Sequence, residues 1–158
     1  MKPEDIALSV EVSRDYFNRS TRALKEENSG FAPAPGTFTA AAQVAHVAQC
    51  IDWFFDGAFS PSGFSTDFEA MDKEVRGCTS LEAARARLNA ATDRAKATAL
   101  AHTAEEWAAP LPEGPIMGGM PRYAIVSALT DHTAHHRGAL TVYTRLLGAV
   151  PPMPYMET

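Results

Sequence analysis

Apolar side chains recur every three or four residues through most of this chain, and no stretch alternates as a strand would. Ile6, Val10, Ser13, Phe17, Ser20 and Leu24 share one face of a helix predicted from Pro3 or Glu4 to Asn28, with Tyr16 on its flank. Pro3 suits a first helical turn, and Glu4 and Asp5 favour the positive end of the helix dipole. Ser29-Gly30 and the alternating prolines of Phe31–Gly36 stop that helix. A second is predicted from Thr37 or Thr39 to Phe55, with Ala42, His46, Gln49 or Cys50, and Trp53 on one face and Val47 and Phe54 beside it. A third, capped at Thr79 with Glu82 closing a capping box, runs to Ala101 on a narrow stripe of Leu81, Ala84, Leu88, Ala91 and Ala95. Such small residues allow either close approach of a neighbour or space for a pocket. The fourth begins at Pro121 and ends at Gly148, ahead of Pro151 and Pro152, with Ile125, Leu129, Leu140, Tyr143 and Leu147 as its stripe.

The connectors decide the expected topology. A turn between bundle helices needs only ~2–8 residues. Gly57–Gly77 is far longer, even with a short helix at FEAMDKEV, and can run the length of the molecule. Helices two and three would then be parallel, so the expected fold is an all-α four-helix bundle with up-down-down-up topology. His102–Met120 is a second connector, with a single turn at Ala104–Trp107, and the tail is expected to drape over the bundle through Met153, Tyr155 and Met156. The chain of 158 residues is read as one domain, residues 1–158.

Composition narrows the class without naming a function. The chain is 46% hydrophobic and 21% charged, which describes a folded protein rather than a disordered one. Its net charge of -5 and its lack of a Lys/Arg block argue against nucleic acid as a partner. The apolar runs are too short for a membrane span, and the amino terminus lacks the apolar centre of a signal peptide, so the cytoplasm is the expected location. Cys50 and Cys78 are read as thiols. The aromatic run Trp53-Phe54-Phe55 covers more than one side of its helix, which suggests burial on two sides and hence a homodimer.

The chemistry lies in the breaks in the fourth stripe. His132 and His136 occupy core positions one turn apart where aliphatic residues belong, and an i, i+4 pair projects from one helix face. His46 sits on an apolar face far upstream. Three inward imidazoles are costly to bury without partners. Two solutions stay open at this point: a shared metal ion, for which neutral imidazole is a good ligand, or a buried hydrogen-bonded network. No acidic or thiolate residue has a clear claim to a fourth position, and three ligands plus an open site is the catalytic pattern. His135 points to the flank, and His102 belongs to a helix end. Asp131 and Asp52 point away from the ligand directions, by roughly 100° and 120° respectively. Cys50, one turn beyond His46, and Tyr16 are weak catalytic candidates. Cys50 is more simply a small buried hydrophobe. The Ile116–Met120 loop is the expected pocket mouth. Gly138, in mid-helix, suggests close packing or backbone approach.

HTAHHRGAL, following the histidine of AAQVAHVAQ, resembles the DinB/YfiT-like family of metalloenzymes, and the resemblance spans nearly the whole chain. It implies a divalent metal, zinc or nickel, held by His46, His132 and His136, often in a homodimer. The family's HxxxHRGQ-like motif continues here through Arg137 and Gly138 but has Ala139 where glutamine is common. Relatives include transferases that use low-molecular-weight thiols such as bacillithiol or mycothiol, and a mycothiol-dependent maleylpyruvate isomerase. The expected function is therefore a metal-dependent enzyme acting on a small molecule, with a thiol-dependent S-transferase as the leading reading. The alternatives are a hydrolase or lyase using metal-bound water, and a non-catalytic metal- or small-molecule-binding module. The family name does not imply a role on DNA.

Overall fold

Thr39 Oγ1 accepts the backbone N–H of Ala42 at 3.1 Å and so starts the helix on which the interior is built. In the computed structural model, which describes residues 1–156, that helix is α2, Ala40–Phe59. It is preceded by α1, Pro3–Thr21, and followed by α3, Phe68–Arg76, α4, Leu81–Ala101, α5, Ala104–Ala108, and α6, Ala124–Leu146. A 3₁₀ turn, Glu26–Asn28, lies between α1 and α2.

The described residues thus form six α-helices and not the expected four-helix bundle. The physical reason is local capping within the connectors. Asp67 Oδ1 accepts from Ala70 N and starts α3. Thr103 Oγ1 accepts from Glu106 N while Glu106 Oε2 accepts from Thr103 N, a reciprocal pair that closes α5. Trp107 then anchors α5. It is fully buried, with its indole N–H donating to Ala99 O at 3.1 Å.

Helix ends differ from the periodicity for similar reasons. α1 stops at Thr21, short of Asn28, because Arg85 of α4 takes the Thr21 carbonyl at 2.7 Å and its hydroxyl at 3.1 Å. Leu24 still reaches the core from beyond the helix end. α4 is capped by Ser80 and not Thr79, and the carboxylate at its start comes from another segment. Glu26 Oε2 accepts Glu82 N at 2.7 Å, and Ser29 Oγ accepts Leu81 N at 2.9 Å. The hydrogen bond from the Glu82 N–H is the main reason that the Glu26 carboxyl is held below its ordinary pKa. α6 begins at Ala124, three residues later than Pro121, which instead forms an isolated bridge with Pro110. Its far end behaves as expected. Gly148 adopts φ +81°, and Gly148 N and Ala149 N donate to Arg145 O and Thr144 O, the paired bonds of a Schellman motif.

The alanines settle how α2 and α4 meet. Ala41, Ala45 and Ala48 on α2, and Ala84, Ala91 and Ala99 on α4, are at most 1% exposed, so small side chains serve close approach. α4 also meets α1, and α6 packs between α1 and α2. This closes a ring of contacts α1–α4–α2–α6 in which the last helix of the chain lies against the second. His132 and His136 are thereby delivered to His46.

Other expectations change with packing. Phe54 and Phe55 are buried within the chain, and Trp53 packs on Phe54 and Phe64 while staying partly exposed. Leu147, assigned to the α6 stripe, is exposed at the helix end. A Cβ on Gly138 would meet nothing within 4 Å, so close packing does not explain that glycine. The tail is tethered by its backbone. Arg19 donates to Pro154 O and Ser20 Oγ to Pro152 O, while Met153, Tyr155 and Met156 remain more than half exposed. Among the described residues, no helix is long and apolar enough to cross a membrane.

Candidate metal centre

α2 contributes one imidazole and α6 two. The ring centroids of His46 lie 5.2 Å from His132 and 4.8 Å from His136, and those of His132 and His136 are 4.4 Å apart. One nitrogen from each ring lies within 4.8 Å of the others, an arrangement able to hold a metal ion. His132 Nε2 and His136 Nε2 are 3.0 Å apart. His136 is buried, whereas His46 and His132 are half-buried.

The electrostatics favour neutral rings. Burial lowers the pKa of His136 to about 3 and that of His132 to about 4, with the neighbouring imidazoles adding to both shifts. Burial also lowers His46, against the opposing influence of Gln49 and Asp72. At neutral pH each of the three rings therefore keeps one nitrogen lone pair, and neutral imidazole is the protonation state that a metal requires. The donors present suit a divalent ion. They are neutral nitrogens, the His132 Nδ1 atom is buried without a hydrogen-bond partner, and no carboxylate or thiol among the described residues joins the group.

The surroundings were only partly foreseen. Gln43, buried on α2 and absent from the predicted site, places its amide nitrogen 2.7 Å from His136 Nδ1. Gln49 is bound to Glu74 Oε2 at 2.5 Å and Met71 O at 3.1 Å, which ties α3 to the α2 face beside His46. The signal was in the spacing: Gln43, His46 and Gln49 recur every three residues in an otherwise alanine-rich segment, and amides buried beside imidazoles need partners. Phe38 packs on His46 with ring centroids 5.3 Å apart.

The remaining candidates separate. Cys50 Sγ lies 3.6 Å from His46 Nε2, and burial pushes its thiol up to about 12, so the bare protein holds it as a neutral thiol. Tyr16 lies away from the histidines in a groove between α1 and α6, edge-on to Tyr155 and shared with Arg137. Ile116 lines a small cavity with Phe64 and Pro112, so its loop covers the 62–64 segment and not the imidazoles. His135 is exposed at the flank of His136. Asp131 is exposed, and Asp52 pairs with Arg94 at 2.7 Å. His102 stacks on Phe59 at 3.7 Å.

The fold has known counterparts among solved structures. No curated protein matches the sequence. Among solved structures, a DinB-like protein of Bacillus subtilis, YjoA, is 17% identical with a TM-score of 0.64, each chain being covered over 94% of its length. A mutant of a mycothiol-dependent maleylpyruvate isomerase is 13% identical with a TM-score of 0.69. That match covers 89% of this chain and 61% of the isomerase. At these identities the likeness is one of fold. The model of the DinB superfamily matches residues 9–140, a span that contains all three clustered histidines, and the chain belongs to that superfamily.

Proposed function

We propose that this protein is a divalent-metal-dependent enzyme whose ion is held by His46, His132 and His136, and that it transfers a low-molecular-weight thiol to an electrophile. The observation that carries the reading is a cluster of three neutral imidazoles with no fourth protein ligand in the group among the described residues. An ion so held would act as a Lewis acid, lowering the pKa of a coordinated thiol or water. Nitrogen donors suit zinc or nickel. The fold shared with a mycothiol-dependent isomerase supports the thiol as co-substrate.

The chain's own residues supply the framework. α2 and α6 hold the ligands on helices, and Phe38 packs on His46. The open ligand position would take water as well as a thiol, which makes a hydrolase or lyase the second reading.

Metal analysis of the purified protein and of its His46→Ala variant tests the site. Stoichiometric metal is expected in the first and its loss in the second; unchanged stoichiometric metal in the variant rules out the assignment. Turnover of an electrophile with mycothiol or bacillithiol added, compared with turnover without any thiol, then separates the two chemistries. Conversion that persists undiminished without thiol selects hydrolysis or elimination. A chelator-sensitive fold with no turnover of either kind selects a non-catalytic metal-binding role.

A further inference from the structure

The three imidazoles are not held alike, and the difference concerns where their protons sit. An amide nitrogen only donates hydrogen bonds. With Gln43 Nε2 at 2.7 Å from His136 Nδ1, the Gln43 N–H donates and Nδ1 accepts. The one proton of the neutral His136 ring is then on Nε2, from where it is donated to His132 Nε2 at 3.0 Å. That in turn leaves the His132 proton on Nδ1, a buried atom with no partner. The donor chain starts at Gln43 and ends at an N–H that satisfies nothing. In this arrangement His136 Nε2 carries a hydrogen and has no lone pair for a cation.

An amide has nearly the same shape with its oxygen and nitrogen exchanged. If the Gln43 amide is turned by 180°, its oxygen faces His136 Nδ1 and accepts from an N–H there. The Nε2 lone pair is then free. Imidazoles that bind metals normally donate their other N–H to an acceptor, which fixes both the tautomer and the direction of the ring. Gln43 is the described residue in hydrogen-bond contact with His136 Nδ1. It lies on α2 three residues before His46, so one helix carries a ligand together with the group that orients a ligand on α6.

We propose that Gln43 is the positioning residue of the three-histidine site: its amide oxygen accepts from His136 Nδ1–H when an ion is held, which leaves the Nε2 lone pair to the ion. This rests on the reading that the histidines hold an ion.

The test uses the full chain and zinc ion alone, with affinity measured by competition against a chromophoric chelator. Gln43→Leu, which neither donates nor accepts, is expected to weaken zinc binding by about 10- to 100-fold. Gln43→Met, an unbranched alternative, serves the same purpose where the leucine variant fails to fold. Gln43→Glu, whose carboxylate only accepts, is expected to bind zinc at least as tightly as the parent protein. Nitrogen-15 NMR of the His136 ring reports the tautomer directly. The expected result is Nδ1–H in the zinc-loaded parent. A zinc-loaded parent whose His136 carries its proton on Nε2 overturns the accepting role of the amide. Parent-like zinc affinity in the leucine or methionine variant overturns the positioning role. A parent protein that binds no zinc overturns the three-histidine reading itself, and this proposal with it.

Discussion

His132 and His136 face each other across one turn of α6 with their Nε2 atoms 3.0 Å apart. Two imidazolium ions at that separation would repel strongly, so the fold selects for neutral rings.

The metal-free protein should therefore lose stability on mild acidification. Histidine has an ordinary pKa of 6.5, and the folded values for His132 and His136 are about 4 and about 3. Above pH 6.5 both folded and unfolded rings are neutral and contribute no difference. Below it the unfolded chain takes up protons that the folded one refuses, and stability falls until the folded pKa values are reached. Carboxylates held low in the fold, such as Glu26 and Glu106, start from 4.5, so their loss begins at lower pH. Urea midpoints at pH 7.5, 6.0 and 5.0 should decline steadily, and His132→Leu should flatten that decline. A midpoint independent of pH over this range contradicts the neutral cluster.

Zinc or nickel should raise the melting temperature of the parent protein, and a chelator should reverse the rise. For an ion that binds only the folded chain, a free concentration 100-fold above Kd stabilises by about 2.7 kcal/mol. Differential scanning calorimetry of His46→Ala should show no such increment; an equal increment would place the ion elsewhere.

Ser29 couples the first connector to the start of α4. Its buried hydroxyl accepts from Leu81 N at 2.9 Å and donates to Glu26 O at 2.7 Å. Ser29→Ala leaves the Leu81 N–H without that acceptor, at a cost of about 1–3 kcal/mol in chemical denaturation. Wild-type stability in the variant would mean that Glu26 or water takes over the role.

Trp107 fastens α5 onto α2 and α4. Fully buried, it packs edge-on against Phe55 and Phe59 and donates to Ala99 O. Trp107→Ala should cost about 3–5 kcal/mol, measured as a shift of the urea midpoint. A loss below 1 kcal/mol would show α5 to be an independent appendage.

The thiols should differ in reactivity. Cys50 is 6% exposed, with its thiol raised to about 12, whereas Cys78 is half-buried. With a disulfide reagent at pH 8, one thiol per folded metal-free chain should react quickly and the other only on unfolding; equal rates would contradict the burial of Cys50.

Much of this molecule was legible in local pattern. The long helices, the breaks at Phe31–Gly36 and after Gly148, the α3 and α5 turns, and the inward direction of His46, His132 and His136 all follow from period and capping chemistry within a few residues of one another. Other features depend on segments distant in sequence. Thr21 ends α1 because Arg85 takes its carbonyl, and α4 starts on a carboxylate and a hydroxyl from Glu26 and Ser29. The role of Gln43 depends on α6, which supplies the His136 ring that its amide meets. Periodicity tells which face of a helix turns inward, because that depends only on the 3.6-residue repeat. It does not tell which atom waits on the other side. The sequence by itself determined that three imidazoles face the interior. Only the tertiary structure brought their nitrogens within 4.8 Å, kept them neutral, and set the Gln43 amide against His136, because convergence, desolvation and hydrogen-bond direction all depend on α2 and α6 lying side by side.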